Sequence, residues 1–578
     1  MYIEIEGTVK TGSVLLAVCM SMGLAPHLSG QAPIPASTIQ YDQLSSNESD
    51  QGSVYVPMDN WVYPALDRLH ALGYVDTAFL GLRPWTRLSI AHMLEHSEDA
   101  ITNDTGNDEA RSIFDALMRE IQPDLERAGG VGAELESAYT DLRGIGGTPL
   151  RDSFHLGQTL VNDYGRPYEG GFNNYSGFSG HAEDGRFSAY FRGEFQRAAS
   201  AAGYSSTLAA LLSNTIDNIP YATNPVQDTI PQGPIPAANI ARIVEANLSY
   251  HVLNHELSIG KSDHWLGPDQ GASMLWSNNA EDIYDFEVNR IEPLHIPFLS
   301  HLTGPFRYDF FVGSLKGHTY PNDPWVHMEK ISFKPTRDME FGFDRLTIWG
   351  GKGHAPITLH TFLHSFFSFQ NVSNAEKISR NDPGARFGTF DFSYRLPFLS
   401  HWVTLYTDSL VHDDVSPVSA PRRAGYHPGI YLARFPGLEH LDLRVEGAIT
   451  DTVSASLQSG QFLYWEDIQR QGPTNKGFLV GDWVGRQGKG GQAWLTWHLS
   501  PQEDLQFQYR IAKAATGFIP GGTTQDDYAF AIRERIHKDF EIRGFVQFEG
   551  WKAPIYVPGL QHGTTAEGRF TWYPRESK

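Results

Sequence analysis

AYFRGEFQ (189–196) reads as a strict alternation. Ala189, Phe191, Gly193 and Phe195 fall on one side, and Tyr190, Arg192, Glu194 and Gln196 on the other. A period of two is that of an extended strand, whose successive side chains point to opposite faces. The pattern recurs in FDFSYRL (390–396), LDLRVEGAI (441–449), LQFQYRI (505–511) and EIRGFVQFE (541–549). One apolar, aromatic face and one charged face mark an antiparallel sheet with a wet side.

Two architectures share this alternation. A soluble sandwich buries the apolar face, whereas a transmembrane barrel turns it to lipid and keeps the charges in a polar lumen. Two features favour the barrel. Opposite charges are paired on the polar face, at Arg444/Glu446 and Arg543/Glu541. Aromatics also gather near strand ends as candidate girdles: Trp402 and Tyr406, Trp494 and Trp497, Trp572 and Tyr573. From Arg151 to the end, at roughly 24 residues per strand and loop, the chain has room for about 16–18 strands. The fold class expected is all-β: an antiparallel transmembrane barrel of about 18 strands with a small N-terminal α-helical bundle.

Upstream of residue 151 the period is nearer 3.6. Asp59 can cap a helix through Leu72 that is ended by Gly73, and Thr86 can cap a second. Further helices are expected at Asp108–Ala128 and Ala133–Leu142, with Ile113, Leu117, Ile121 and Leu125 as a packing stripe. The apolar run GSVLLAVCMSMGL (12–24) is too short to span a bilayer and suits a signal-peptide core, with Gly30 and Ala32 after it. Glu4 and Glu6 precede it, so Val9 is a better start for an export signal. The expected organisation is a signal peptide at 1–32, a linker at 33–53, a periplasmic helical bundle at 54–150 and an outer-membrane barrel at 151–578.

The 578 residues carry 45 Lys and Arg against 67 Asp and Glu, a net charge of −22, which argues against nucleic acid as a partner. Cys19 is the sole cysteine and lies in the signal region, so a mature chain has no disulfide and no catalytic thiol. No later stretch is long and apolar enough for a transmembrane helix, so a membrane location requires a barrel.

Catalytic constellations are weak. His360 and His364 have metal-like helical spacing, but on a strand they lie too far apart for one ion. Glu281, Asp282, Asp285 and Glu287, beside Trp276, Asn278 and Asn279, could in principle serve glycoside hydrolysis or calcium binding; a solvated loop is the simpler reading. No enzyme, metal or cofactor is expected.

Several blocks resemble the capsule assembly protein Wzi family. They include VPMDNWVYPALDRLHALGYV (56–75) with GLRPWTR (81–87), FHLGQTLVNDYGRPYEGGFN (154–173) and IGKSDHWLGPDQGASMLWSNNAEDIY (259–284). NDPGARFGTFDFSYRLP (381–397) and NKGFLVGDWVGRQGKGGQAW (475–494) continue the likeness. Residues 56–96 also resemble a surface-layer homology module. The family resemblance implies an 18-stranded Gram-negative outer-membrane barrel with periplasmic helices and a lectin-like, non-catalytic role in holding capsular polysaccharide or exopolysaccharide. Its implied partners are that polymer, outer-membrane lipid and the capsule-export machinery. Trp265, Trp276, Asn278 and Asn279, in an expected outer loop, are candidate sugar contacts, and Arg422 and Arg423 are candidates for pairing with acidic sugars. The alternatives are a diffusion porin, which shares the strand pattern, and a secreted carbohydrate-active enzyme, which needs a carboxylate pair in one cleft.

Overall fold

The computed structural model describes residues 51–126, 131–222, 226–369, 372–399, 402–412, 424–451 and 463–574. The signal peptide, most of the linker, and Arg422 and Arg423 lie outside the described residues.

Eighteen antiparallel strands form one closed sheet. They are β1 (Gly132–Gly146), β2 (Gly171–Asp184), β3 (Phe187–Ala198), β4 (Ala238–Val252), β5 (His255–Lys261), β6 (Asp285–Arg290), β7 (Phe306–Ser314), β8 (Trp325–Thr336) and β9 (Met339–Trp349). There follow β10 (Ala385–Arg395), β11 (Val403–His412), β12 (Gly425–Leu432), β13 (Leu441–Ile449), β14 (Gly488–Ser500), β15 (Glu503–Ala514), β16 (Thr523–Ile536), β17 (Phe540–Ala553) and β18 (Val557–Trp572). Each strand pairs with the next, and β18 returns to β1 with Ala138 opposite Trp572. Closure removes both sheet edges.

Burial decides between sandwich and barrel. On β3, Phe191 and Phe195 are 39% and 51% exposed, while Arg192 and Glu194 are 2% and 4% exposed. A sandwich would give the opposite. The apolar face looks outward and the charged face is enclosed.

The barrel begins earlier than the change of period near Arg151 suggested. Residues 133–142, expected as a helix, belong to strand β1. Leu135, Ala138, Leu142 and Ile145 are spaced by three and four, which imitates a helical stripe, but pairing with β2 and β18 fixes the segment as a strand. His360 and His364 show the reverse error, since they lie on the helix Leu359–Phe366. Two girdle assignments also change. Trp494 and Trp497 are three apart on one strand and so face opposite ways; Trp497 is exposed, and Trp494 is buried in the lumen with Tyr406.

Among the described residues, three helices precede the barrel: α1 (Val62–Ala71), α2 (Arg87–Asn103) and α3 (Asp108–Glu126). Thr86 caps α2 by accepting from the Ser89 amide at 3.1 Å. Asp59 does not cap α1; Asn60 accepts the Val62 amide at 3.0 Å, and Asp59 turns to the barrel. Leu66, Leu69, Trp85, Ile90, Leu94 and Leu117 form a core with barrel residues Tyr406, Tyr431 and Ala433.

The connections are unequal. Tight turns at 185–186, 253–254, 337–338 and 501–502 lie at one end, and the helices pack there: the Gly52 amide donates to Gly185 and Arg68 to the Ala433 carbonyl. The longer connections 147–170, 199–237, 262–284, 350–384 and 450–487 leave from the other end. Parts of them fold inward. Phe154, Leu266, Met274, Trp276, Tyr464 and Leu479 form a core inside the barrel against Phe311, Met328, Leu346 and Phe387 of the wall.

Candidate functional site in the barrel lumen

The helical segment is fastened to the lumen by arginine. Arg192 on β3 donates twice to the Asp59 carboxylate, at 3.0 and 2.8 Å, and Arg569 on β18 adds a contact at 3.2 Å. Arg543 on β17 donates to the Asp59 carbonyl at 3.1 Å. Burial alone would raise the Asp59 pKa, but these arginines hold it well below the usual carboxylate range. The chain after α1 then enters the lumen. The Leu80 and Gly81 amides donate to Glu340 on β9 at 2.8 and 3.0 Å. Arg83 and Trp265 exchange backbone hydrogen bonds at 3.1 and 3.0 Å, so the inserted segment meets the 262–284 connection.

A cavity of about 550 Å³ lies between these parts. Asp59, Tyr63 and Arg83 come from the helical segment, Tyr164, Trp265 and Asn278 from the inward loops, and Arg143, Tyr431, Arg444 and Trp494 from the wall. Arg444 stacks on Tyr431, 4.3 Å from the ring centroid. Aromatic faces beside fixed donors and acceptors are the general chemistry of sites for polar, ring-shaped ligands. A second recess, of about 530 Å³, lies at the long-loop end between residues 226–236 and 476–478, with Arg151, Asp228, Gln232 and Lys476 in its lining.

The 262–284 connection, expected as an outer loop, folds into the lumen. Trp265 is buried at the cavity and donates through its indole N–H to the Asp269 carbonyl at 3.1 Å. Asn278 lines the same cavity, and its carbonyl accepts from the Tyr164 amide at 2.9 Å. Trp276 is 1% exposed and packs edge-on against Phe311 at 4.9 Å, so it has no free face. Asn279 spends its amide on Gln158 at 2.9 Å and the Leu479 carbonyl at 3.2 Å. The structure therefore brings Trp265 and Asn278 to one cavity and places Trp276 and Asn279 in the packing behind it. Gly165, at φ 54°, lets the two inward loops touch; a Cβ there would lie 2.7 Å from the Glu281 amide nitrogen.

The carboxylate cluster is divided among different tasks. Glu281 is neutralised by Lys261 at 2.6 Å and Lys476 at 2.9 Å. Asp285 accepts from His264 at 2.8 Å. The cavity arginines Arg143 and Arg444, and the recess with Arg151, were missed as site residues in the sequence. Their signal was a charge at an inward position of a strand, or a proline-rich break in the alternation.

The family model for the capsule assembly protein Wzi matches residues 142–566. A solved Escherichia coli structure, described as Wzi, an outer membrane protein involved in group 1 capsule assembly and a carbohydrate-binding β-barrel, superposes with a TM-score of 0.63 at 15% identity. It covers 89% of this chain and 98% of that one. A Klebsiella pneumoniae protein described as an uncharacterized 55.8 kDa protein in the cps region is 24% identical over 164 residues, 28% of this chain and 31% of that protein's length. The eighteen-strand closure and the match across most of the barrel agree, and the chain belongs to the capsule assembly protein Wzi family.

Proposed function

We propose that the protein resides in the outer membrane with its helices on the periplasmic side, and that it binds capsular polysaccharide or exopolysaccharide and holds it at the cell surface without catalysing a reaction. The exposed aromatic outer face supports a lipid environment. The short turns lie at the helical end, which is the periplasmic end by the general rule for such barrels. The observation that carries the binding reading is the filled lumen. Loops pack on one another inside the wall, and the inserted Arg83 segment meets Trp265, an arrangement that favours retention over free diffusion. Neutralisation of Glu281 by two lysines supports a non-catalytic site.

In this reading the recess at Arg151, Gln232 and Lys476 meets the polymer at the outer end. Trp265 and Asn278 offer a stacking face and a hydrogen-bonding amide deeper in the lumen. Arg422 and Arg423 are carried as acidic-sugar contacts on sequence alone. The test is a deletion strain scored for total and cell-bound polymer. Release with unchanged synthesis supports the proposal; unchanged retention, or loss of synthesis, contradicts it.

A further inference from the structure

We propose that His264, Glu287 and Asp309 bind one divalent cation of the zinc or manganese class, which fastens the 262–284 connection to the barrel wall. Glu287 on β6 and Asp309 on β7 are on paired strands, with Glu287 opposite Phe311 and Asn289 opposite Asp309. His264 comes from the connection and stacks on Phe311 with centroids 4.0 Å apart. One ligand atom from each of the three side chains lies within 4.8 Å of the others. Zinc–nitrogen and zinc–oxygen bonds of about 2.0–2.2 Å require a closer set, so small side-chain adjustments complete the site.

Three observations point to a cation. The side chains are enclosed: His264 and Glu287 are 0% exposed and Asp309 is 2% exposed. Both Asp309 oxygens, Glu287 Oε2 and His264 Nδ1 lack hydrogen-bond partners. Buried carboxylates are costly unless a positive charge meets them. Among the described residues, no Lys or Arg forms an ion pair with Glu287 or Asp309; the nearby Arg307 donates to the Arg290 carbonyl at 2.9 Å and to Asn289 at 3.2 Å. Finally, His264 Nε2 is held by Asp285 at 2.8 Å, which leaves Nδ1 as the free nitrogen. A carboxylate on one ring nitrogen is the usual way a metal-bound histidine is oriented. One imidazole and two carboxylates suit borderline divalent ions.

A second cluster sharpens the choice. Asp269, His427 and Glu446 also each place one ligand atom within 4.8 Å of the others. There His427 is bracketed at both nitrogens, by Asp482 at 2.5 Å and Glu446 at 3.1 Å, so a protonated ring satisfies it and no nitrogen remains for a metal.

The test uses the full-length chain, extracted in detergent from cells supplied with zinc and manganese, with metal measured by mass spectrometry. The expected result is one equivalent per chain, falling to trace in the isosteric variant Glu287→Gln/Asp309→Asn while the barrel remains heat-modifiable. Wild-type protein refolded with Zn²⁺ or Mn²⁺ should melt higher than protein refolded in chelator. Should the double variant not fold, wild-type protein refolded with Co²⁺ supplies an independent readout through visible d–d absorption. Metal-free, fully folded wild type whose melting is indifferent to both ions, absence of the cobalt bands, or full metal content in the folded double variant would overturn the proposal.

Discussion

The two ends of the barrel are closed by different means. At the short-turn end a separate run of helices shares an apolar contact with Tyr406, Tyr431 and Ala433 and is locked by charge: Asp59 against Arg192, Arg569 and Arg543, and Arg395 against Asp76 and the His70 carbonyl. At the long-loop end the barrel's own connections fold inward, held largely by apolar packing of Phe154, Trp276, Tyr464 and Leu479. Buried charge appears there too, as in His155 clamped between Asp152 and Asp217 at about 3 Å on each side. A charge lock depends on each partner and on pH. A packed plug spreads its stability over many side chains, and its largest members dominate.

That contrast predicts a rank of effects. Trp276→Ala removes a fully buried indole from the loop plug and should cost about 3–5 kcal/mol. Urea unfolding in detergent measures it, and a loss under 1 kcal/mol would mean that the inward loops pack loosely. Asp59→Ala should cost less, about 1–3 kcal/mol, because the carboxylate is 27% exposed although Arg192 is only 3% exposed. Its signature is selective. Proteolysis within residues 51–126 should accelerate while the heat-modifiable barrel persists, and uniform destabilisation would show that helices and barrel are one cooperative unit.

pH separates the two ends by sign. The Asp59 pKa is depressed, so its stabilisation is present above the usual carboxylate range and is lost as pH falls through the folded value. Burial opposes charge on His155, but Asp152 and Asp217 raise its pKa to about 9. Its stabilisation is full below an unfolded value of about 6.5 and is lost as pH rises through the folded one. Hydrogen exchange should therefore show the helical end loosening in acid and the 151–158 region loosening between pH 6.5 and 9. The same end loosening at both extremes would break the comparison.

The smallest expected effects are at the proposed contacts. Trp265→Ala, Asn278→Ala and Lys476→Ala should each change polymer retention slightly and together change it more, because repeated weak contacts sum along a polymer. Cell-bound polymer in complemented strains measures this, and a single substitution that abolished retention would point to one dominant contact.

The strand architecture was legible because inward Arg192 and Glu194 alternate with outward Phe191 and Phe195, a local property of the chain. Strand β1 was not, since Leu135, Ala138, Leu142 and Ile145 follow a three-four spacing, although Ile145 is buried and faces the lumen. Asp59 reads as a cap from its position before α1, yet its partners Arg192 and Arg569 lie 133 and 510 residues away. Trp265 and Asn278 do meet at a cavity, but the burial of Trp276 and Asn279 follows from loops folding into the lumen, which a strand period does not encode.

On the proposed function, the filled lumen goes with binding of polymer instead of conduction of solutes. The direct measurement is equilibrium binding of the purified, detergent-solubilised protein to surface polysaccharide isolated from the same strain, alongside conductance in planar bilayers. The expected result is saturable binding, weakened by combined Trp265→Ala, Asn278→Ala and Lys476→Ala substitutions, with little steady conductance. Steady open-channel conductance with no detectable binding would contradict it.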